Sequence, residues 1–307
     1  MNFREWALPG YTILIQLATG MFFVLWMIRT FLRTDENEKE LNELAKIPVI
    51  IIFSTILMGM LISHFHLSRP LMSFLAIVNF RNSWLSREVL FTLLFFLSTV
   101  ALISRLWISP ASYRMISILG WVAIVFGLIT LWCMTSVYLL PTQVSWNHSL
   151  SQFSSYGTAL LLGVFSLMVV FLMDIRFSLE RESSSVFVKI KFVNRALKGM
   201  VITAIVAAIW IFFADLNEIS LLQNMSLESA QISLNLLFGI YKPLLIMRFS
   251  FLTLGTLCFS IYSIGTLIGK QKIAEMIGPI YVFCLFILIG EIAERFLFYA
   301  THVRIGL

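Results

Sequence analysis

The chain alternates between long apolar runs and short polar connections, and eight of the runs are long enough to cross a membrane. A spanning helix needs about 20 mostly apolar residues. The runs are continuously apolar and do not alternate residue by residue, which favours helices over a β-barrel. We predict an all-α, polytopic membrane bundle with helices over about 11–32, 48–66, 87–107, 114–139, 157–174, 196–214, 243–268 and 277–302.

One connection is longer than a simple link between helices. Residues 215–242 form an amphipathic segment between the sixth and seventh apolar runs. Such a segment lies along the membrane interface, covers a site, or extends the seventh helix. Because no internal repeat or low-complexity tract is evident, residues 1–307 are predicted to form a single membrane domain.

The composition agrees with this pattern and argues against a soluble or nucleic-acid-binding protein. Hydrophobic residues make up 59% of the 307 residues and charged residues only 12%, which is too apolar for a soluble domain. The net charge of +6 comes from Lys and Arg residues that cluster in the connections between spans. That distribution is typical of membrane topology, so we predict no nucleic-acid partner.

The distribution of Lys and Arg also predicts the orientation of the protein. Connections 33–47, 107–113, 175–195 and 269–276 share one side, and together with the span ends they carry about twice as many Lys and Arg residues as the opposite side. The positive side is expected in the cytoplasm, which places both termini in the periplasm. The first apolar run is too long for a cleaved signal peptide and is expected to remain as a helix.

The cysteines and histidines limit the cofactors that this protein can hold. Cys133, Cys258 and Cys284 lie inside apolar runs without metal-ligand spacing, so we predict no metal site and no iron–sulfur cluster. The four histidines cannot supply the facing pairs of a di-haem anchor, and a single haem is also disfavoured.

Ionisable residues inside membrane spans are costly, so each of them is a functional candidate. His64 and His66 end the second span, but two residues apart on a helix they point to nearly opposite faces. Pro70 predicts that the helix ends nearby. Glu88 begins the third span, where it is either a site residue or, together with Ser86, part of an N-terminal cap.

The last span, "GEIAERFLFYATH", carries a second polar stripe. Glu291 and Arg295 are four residues apart, and His302 falls on the same stripe. A purely structural interpretation is an ion pair between Glu291 and Arg295 that fixes helix packing. In the predicted topology His66, Glu88 and His302 all map to the outer side. That placement suits a site that passes protons outward, with histidine as a natural carrier.

Two motifs at opposite ends of the sequence resemble a known family. "HLSRPLMSFLAIVNFRNSWLSRE" resembles the H-L-x-x-P and L-S-x-E segment of the membrane anchor subunit of bacterial dimethyl sulfoxide (DMSO) reductase. "GEIAERFLFYATH" resembles the G-E-x-x-x-R-x-x-F-Y-x-x-H motif of the same family. The length and the eight spans agree as well, so the resemblance covers the whole chain.

The resemblance implies a non-terminal subunit of a molybdenum-dependent respiratory complex in the bacterial inner membrane. Such an anchor oxidises menaquinol, which is its substrate, and passes electrons to a ferredoxin-like four-cluster iron–sulfur subunit. A molybdopterin catalytic subunit reduces the terminal acceptor, and both partners are expected on the periplasmic face. The family's quinol-associated histidine and glutamate fall on His66 and Glu88.

Further residues are expected to support the quinol site or partner docking. They are Arg69, Arg87, Glu291, Arg295, Tyr299 and His302, with Trp84 and Phe298 as candidate aromatic neighbours of the quinone ring. Two alternatives stay open on the residues alone. One is an integral-membrane transporter, and the other is a structural anchor without a quinol site.

Overall fold

The computed structural model describes residues 3–34, 36–64, 77–182, 186–270 and 272–303. Within these ranges the protein is helical and contains no β-strand. The α-helices are α1 (Phe3–Phe31), α2 (Glu38–His64), α3 (Trp84–Ile108), α4 (Tyr113–Ser136), α5 (Leu150–Glu180), α6 (Val186–Asn224), α7 (Glu228–Phe238), α8 (Lys242–Leu267) and α9 (Ile277–Ala300).

Eight of these helices are long and apolar enough to cross a membrane. They correspond one to one with the eight predicted spans, so the prediction of an all-α polytopic bundle is confirmed. The exception is α7, which has only 11 residues. The chain is therefore a multi-pass membrane protein.

Several helices extend beyond the predicted spans because polar turns continue them outside the apolar segment. Helix α2 begins at Glu38, ten residues before the predicted start, and α6 reaches 39 residues. The polar start of α2 has its own partners: Asn42 accepts a hydrogen bond of 2.8 Å from Arg29 at the end of α1. Apolar length predicts the part of a helix inside the membrane and misses such extensions.

The helices pack in two groups of four. Helices α1 to α4 pack around one another, and α5, α6, α8 and α9 form the second group. The groups meet along α1 and α5, which are the two most buried spans. A continuous apolar core runs through both groups.

Two glycines allow α1 and α5 to cross at very short range. A Cβ atom added to Gly20 would lie 1.6 Å from the carbonyl oxygen of Ala159, and one added to Gly163 would lie 2.2 Å from the carbonyl carbon of Gly20. Small residues at helix crossings permit the backbone contact that stabilises membrane helices through van der Waals packing.

The alternating helices give the bundle two ends. We call the end at which α1 begins the site face, because α3, α5 and α8 also begin there and α4, α6 and α9 end there. A buried hydrogen bond of 2.9 Å from Gln152 to Ser136 joins α5 and α4 on this face. The other end of the bundle is called the opposite face.

The segment 215–242 folds as two helical pieces on the site face. The first piece continues α6 to Asn224, and the second is α7. Ala230 and Leu234 of α7 pack with Leu222 and Val144 in a small apolar cluster. The alternative that this segment extends the seventh span is wrong, because α6 continues through its first part and a turn at 239–241 separates α7 from α8.

Candidate functional site

Glu88 lies in the second turn of α3, on the site face. The helix begins after Ser83, whose hydroxyl accepts a hydrogen bond of 3.3 Å from the backbone N–H of Ser86. Ser83 therefore caps α3, and Glu88 does not. The Glu88 side chain is buried, with 7% of the residue exposed. A buried carboxyl group needs hydrogen-bond partners to offset its lost hydration.

The partner of the Glu88 side chain comes from α1, and a residue of α3 bonds the Glu88 backbone. The hydroxyl of Tyr11 lies 3.0 Å from that of Thr92 and also hydrogen bonds the Glu88 side chain. The Thr92 hydroxyl in turn donates to the backbone carbonyl of Glu88 at 2.8 Å. Tyr11 and Thr92 are both buried, so this carboxyl–phenol pair is shielded from water.

A group of stacked aromatic rings lies on the same face where α9 ends. We call Tyr138, Trp146, Phe298, Tyr299 and His302 the aromatic stack. The Trp146 ring lies parallel to Phe298 at 5.1 Å and to His302 at 4.6 Å, measured between centroids. The Trp146 indole donates a hydrogen bond of 2.9 Å to the carbonyl of Phe298.

Two tyrosines of the aromatic stack lie within reach of the Glu88 charge. The hydroxyls of Tyr138 and Tyr299 are 2.6 Å apart, and the charge of Glu88 acts on both. Burial raises the pKa of Tyr138 well above its ordinary value, and the neighbouring Tyr299 hydroxyl and Glu88 charge act in the same direction. Tyr138 is therefore a neutral phenol that can donate or accept a hydrogen bond. Glu88 and the aromatic stack belong to one region of the site face.

A second polar group lies beside the aromatic stack. We call Asp215, Arg248, Glu291, Glu294 and Arg295 the charged cluster; all five residues are buried. Arg248 pairs with Asp215 at 2.7 Å and with Glu294 at 3.6 Å. Three carboxyl groups therefore lie close to two guanidinium groups in a buried place, where each charge depends on a partner of opposite sign.

The interpretation of Glu291 and Arg295 as an ion pair is wrong, because each of the two side chains has another partner. Arg295 instead pairs with its neighbour Glu294 at 3.1 Å and donates a hydrogen bond of 3.4 Å to Ser155. Glu291 accepts a hydrogen bond of 2.9 Å from Thr158 of α5, and its other carboxyl oxygen is buried without a hydrogen-bond partner among the described residues. Spacing along one helix does not show which side chains a neighbouring helix supplies.

His148 is a site-face residue, in the connection between α4 and α5, that the sequence pattern did not single out. Its Nε2 atom lies 2.8 Å from the carbonyl of Ser145 and 3.5 Å from a carboxyl oxygen of Glu218. Burial opposes the charged imidazolium, but the hydrogen bond and charge of Glu218 outweigh it and raise the pKa of His148 above its ordinary value. The signal in the sequence was weak, because His148 and Glu218 lie 70 positions apart.

Two small polar cavities run between these groups. One, of about 60 Å³, lies between α6, α7, α8 and α9 and is lined by Asp215, Arg248 and Glu294. The other, of about 20 Å³, lies between Tyr138 and Arg295. Both are large enough and polar enough to hold ordered water. Ser233 and Leu237 of α7 line the first cavity, so the 215–242 segment covers the part of the charged cluster around Asp215 and Arg248.

The remaining candidate residues fall in different places. His66 and Arg69 lie outside the described residues. Arg87 is half-buried, donates hydrogen bonds of 2.9 and 2.6 Å to the carbonyls of Phe80 and Arg81, and stacks over Trp84. Arg87 thus holds the preceding turn and lies apart from the buried groups.

Within the described part of the protein, no three His, Cys, Asp or Glu side chains are arranged to share a metal ion.

The fold and the site together define an all-helical, multi-pass membrane protein with a cluster of buried ionisable groups near one face. The chain belongs to the DMSO reductase anchor subunit (DmsC) family, whose sequence profile matches residues 1–301.

Two relatives agree with this membership. The C subunit of the anaerobic dimethyl sulfoxide reductase of Haemophilus influenzae is 27% identical over 173 residues, which is 53% of this chain and 58% of that protein. The YnfH subunit of an anaerobic dimethyl sulfoxide reductase of Escherichia coli is 24% identical over 315 residues, which covers 100% of this chain and 98% of that relative. The family-level part of the sequence prediction is confirmed, and the protein is an anchor subunit of this family.

Proposed function

We propose that the protein oxidises menaquinol beside Glu88 and passes the electrons to an iron–sulfur partner subunit. Menaquinol oxidation breaks two O–H bonds and leaves menaquinone, two protons and two electrons. The observation that carries the proposal is the buried Glu88 carboxyl group, which interacts with Tyr11 and whose charge acts on the tyrosines of the aromatic stack. A carboxylate in such a place accepts a proton only from a donor that reaches it directly.

Each side chain has a defined part in the proposed reaction. The Tyr11 hydroxyl donates to one part of the Glu88 carboxylate, which leaves lone pairs for a quinol hydroxyl. Glu88 accepts one proton, and His66, the residue that matches the family's motif, accepts the other. Tyr138 and Tyr299, whose hydroxyls lie 2.6 Å apart, are proposed to orient the quinone oxygens.

The charged cluster has a supporting part. Arg295 lies on the side of the aromatic stack that faces the cluster, with its guanidinium carbon 5.8 Å from the centre of the Phe298 ring. Its positive charge stabilises negative charge that develops on a quinone oxygen as the proton leaves. Glu291 and His302 complete the polar surroundings, whereas Arg69 and Arg87 are proposed as contacts for a docked partner.

The electrons leave for a four-cluster ferredoxin-like subunit and then reach a molybdopterin subunit that reduces the terminal acceptor. We place both partners on the periplasmic face of the inner membrane, which is also the site face, following the distribution of Lys and Arg in the sequence. The iron, sulfur and molybdenum centres belong to the partners, and this chain supplies the quinol site and the anchor.

The proposal is tested by separating quinol-linked from dye-linked activity in the purified complex. We expect that Glu88→Ala or His66→Ala reduces menaquinol-driven turnover by about 100-fold or more, because each variant removes a proton acceptor. A soluble dye donates electrons to the partners directly, so its activity stays near the wild-type value. Glu43→Gln, which alters an exposed carboxyl group at the opposite face, is the control.

Equal loss of both activities would mean that these residues serve assembly and that the protein is a structural anchor without a quinol site. Unchanged menaquinol-driven turnover in the Glu88 variant would also exclude the proposed proton acceptor.

A further inference from the structure

A groove on the opposite face is separate from every group considered so far. It lies between the end of α1 and the third to fifth turns of α6, and its volume is about 270 Å³. Phe23, Met27 and Phe31 form one wall, and Gly199 and Thr203 lie on the other. The lining is almost entirely apolar, apart from Arg195.

The groove exists because α6 carries a glycine where a side chain would fill the space. A Cβ atom added to Gly199 would have no heavy atom within 4 Å. Gly20 and Gly163 differ sharply, since they are needed for a close helix contact. Among the described residues, no neighbouring helix packs closely against Gly199. The missing side chain therefore leaves an open channel beside the α6 backbone.

A row of positive charges stands where the groove reaches the membrane surface. Lys191, Arg195 and Lys198 are spaced four and three residues apart, so they share one side of α6. All three are exposed, and no described carboxyl group forms a salt bridge with them. Lys189 nearby differs, because it pairs with Asp174 at 2.7 Å.

The charge row and the groove have the geometry of one amphipathic ligand. From Arg195 to Thr203 the α6 axis descends about 12 Å into the membrane, at 1.5 Å per residue. From Phe31 to Phe23 the antiparallel α1 descends by the same amount. A ligand that follows the groove therefore has an anionic end at Arg195 and an apolar tail that extends toward the membrane centre.

We propose that this groove binds an anionic phospholipid of the surrounding membrane. The phosphate contacts Arg195, with Lys191 and Lys198 on either side, and one acyl chain lies between α1 and α6. Basic pockets between membrane helices recognise anionic headgroups in this way. A quinone tail would fill the apolar part but would leave the three cations without an anion.

The lipid would have a structural consequence. Helix α1 belongs to the first group of four helices and α6 to the second. The two groups meet along α1 and α5, so an acyl chain between α1 and α6 fills a gap at the edge of that junction. This site is independent of the proposed quinol oxidation, because it lies on the other side of the bundle.

The test measures which lipids stay with the full-length protein after purification from membranes in mild detergent. Native mass spectrometry follows exchange with phosphatidylglycerol or phosphatidylcholine. We expect the wild type to retain one phosphatidylglycerol in preference to phosphatidylcholine. Gly199→Leu should reduce that retention by about fivefold or more, because the leucine side chain occupies the groove. Arg195→Gln should remove the preference for the anionic lipid while the groove stays open.

Two matched variants control for unrelated effects. Gly278→Leu adds the same side chain at another exposed helical glycine of the opposite face, where an added Cβ also meets nothing within 4 Å. Arg114→Gln removes an exposed positive charge from the same face outside the groove. Both should retain the lipid as the wild type does.

Equal retention by the Gly199 and Gly278 variants would overturn the proposal, as would equal retention of the two lipids by the wild type. A quinone that is released from the groove instead of a phospholipid would overturn it too. Quinol-linked turnover is not the readout, so this result stands or falls separately from the proposed function.

Discussion

Glu88 and its neighbours show how three helices hold one carboxyl group away from water. Tyr11 comes from α1, Thr92 from the next turn of α3, and Cys133 of α4 lies within reach of the Glu88 charge. A buried carboxyl group is expensive unless several groups satisfy it, so a site that retains one uses it for chemistry or for a specific contact.

We expect Tyr11→Phe to reduce menaquinol-driven kcat by about tenfold, because a hydrogen bond to a charged group is lost. The hydrogen bond from Thr92 to the Glu88 carbonyl remains, so the helix should keep its position. Tyr156→Phe is the control, since Tyr156 donates a comparable hydrogen bond of 3.0 Å to the carbonyl of Leu128 away from Glu88. Steady-state kinetics with a menaquinol analogue gives the comparison; equal kcat values in the two variants would contradict the role of Tyr11.

His148 predicts a dependence of stability on pH. Its pKa is raised above the ordinary value in the folded protein, because Glu218 outweighs the effect of burial. The stabilisation is complete below the pKa of the unfolded histidine and is lost as the pH rises through the folded pKa. Thermal unfolding in mild detergent should therefore give a Tm that falls between about pH 6 and pH 8.

The variant Glu218→Gln removes the partner that raises the pKa of His148. Its Tm should fall less over the same pH interval, whereas Glu228→Gln, at the exposed start of α7, should behave as the wild type does. If the Glu218 variant and the wild type lost the same Tm over this interval, the ion pair would have no part in stability.

At the scale of helices, the crossing of α1 and α5 is the tightest contact in the bundle. Gly163→Ala places a methyl group 2.2 Å from the backbone of α1, so the helices must separate. Overpacking of this kind costs about 1–3 kcal/mol. The yield of folded protein after detergent extraction, followed by size-exclusion chromatography, should fall several-fold. Gly278→Ala, which meets no atom, should leave the yield unchanged; a Gly163 variant with wild-type yield would contradict the contact.

The sequence was sufficient for the helices inside the membrane, because apolar length alone predicts them. It did not predict α7, whose polar and apolar residues suit an interfacial helix, a cover or an extension equally well. Glu88 was identified as a candidate, but the sequence allowed a capping role that Ser83 fills instead. The pairing of Asp215 with Arg248 was missed, since two charges 33 positions apart meet only after the helices have packed.

At the scale of the whole molecule, the position of the proposed quinol site determines whether turnover generates a membrane potential. The proposed quinol site lies on the site face, and the proposed partners dock at the same face. Protons released from menaquinol and protons consumed by reduction of the acceptor then belong to one compartment. The complex should generate no membrane potential during turnover.

Vesicles that contain the purified complex test this expectation. Turnover with a menaquinol analogue and the terminal acceptor should leave a potential-sensitive dye unchanged, whereas a proton-translocating quinol oxidase in matched vesicles should give a clear signal. A potential that forms during turnover and collapses with an uncoupler would contradict the placement of the site and the partners on one side.

The central claim is that electrons enter the complex from a quinol beside Glu88. The most direct measurement mixes the complex with a menaquinol analogue and follows reduction of the partner's iron–sulfur clusters by electron paramagnetic resonance. In the Glu88→Gln variant the rate should fall by about 100-fold or more, while dithionite still reduces the clusters fully and Glu43→Gln retains the wild-type rate. Reduction of the clusters by quinol at the wild-type rate in Glu88→Gln would contradict the account.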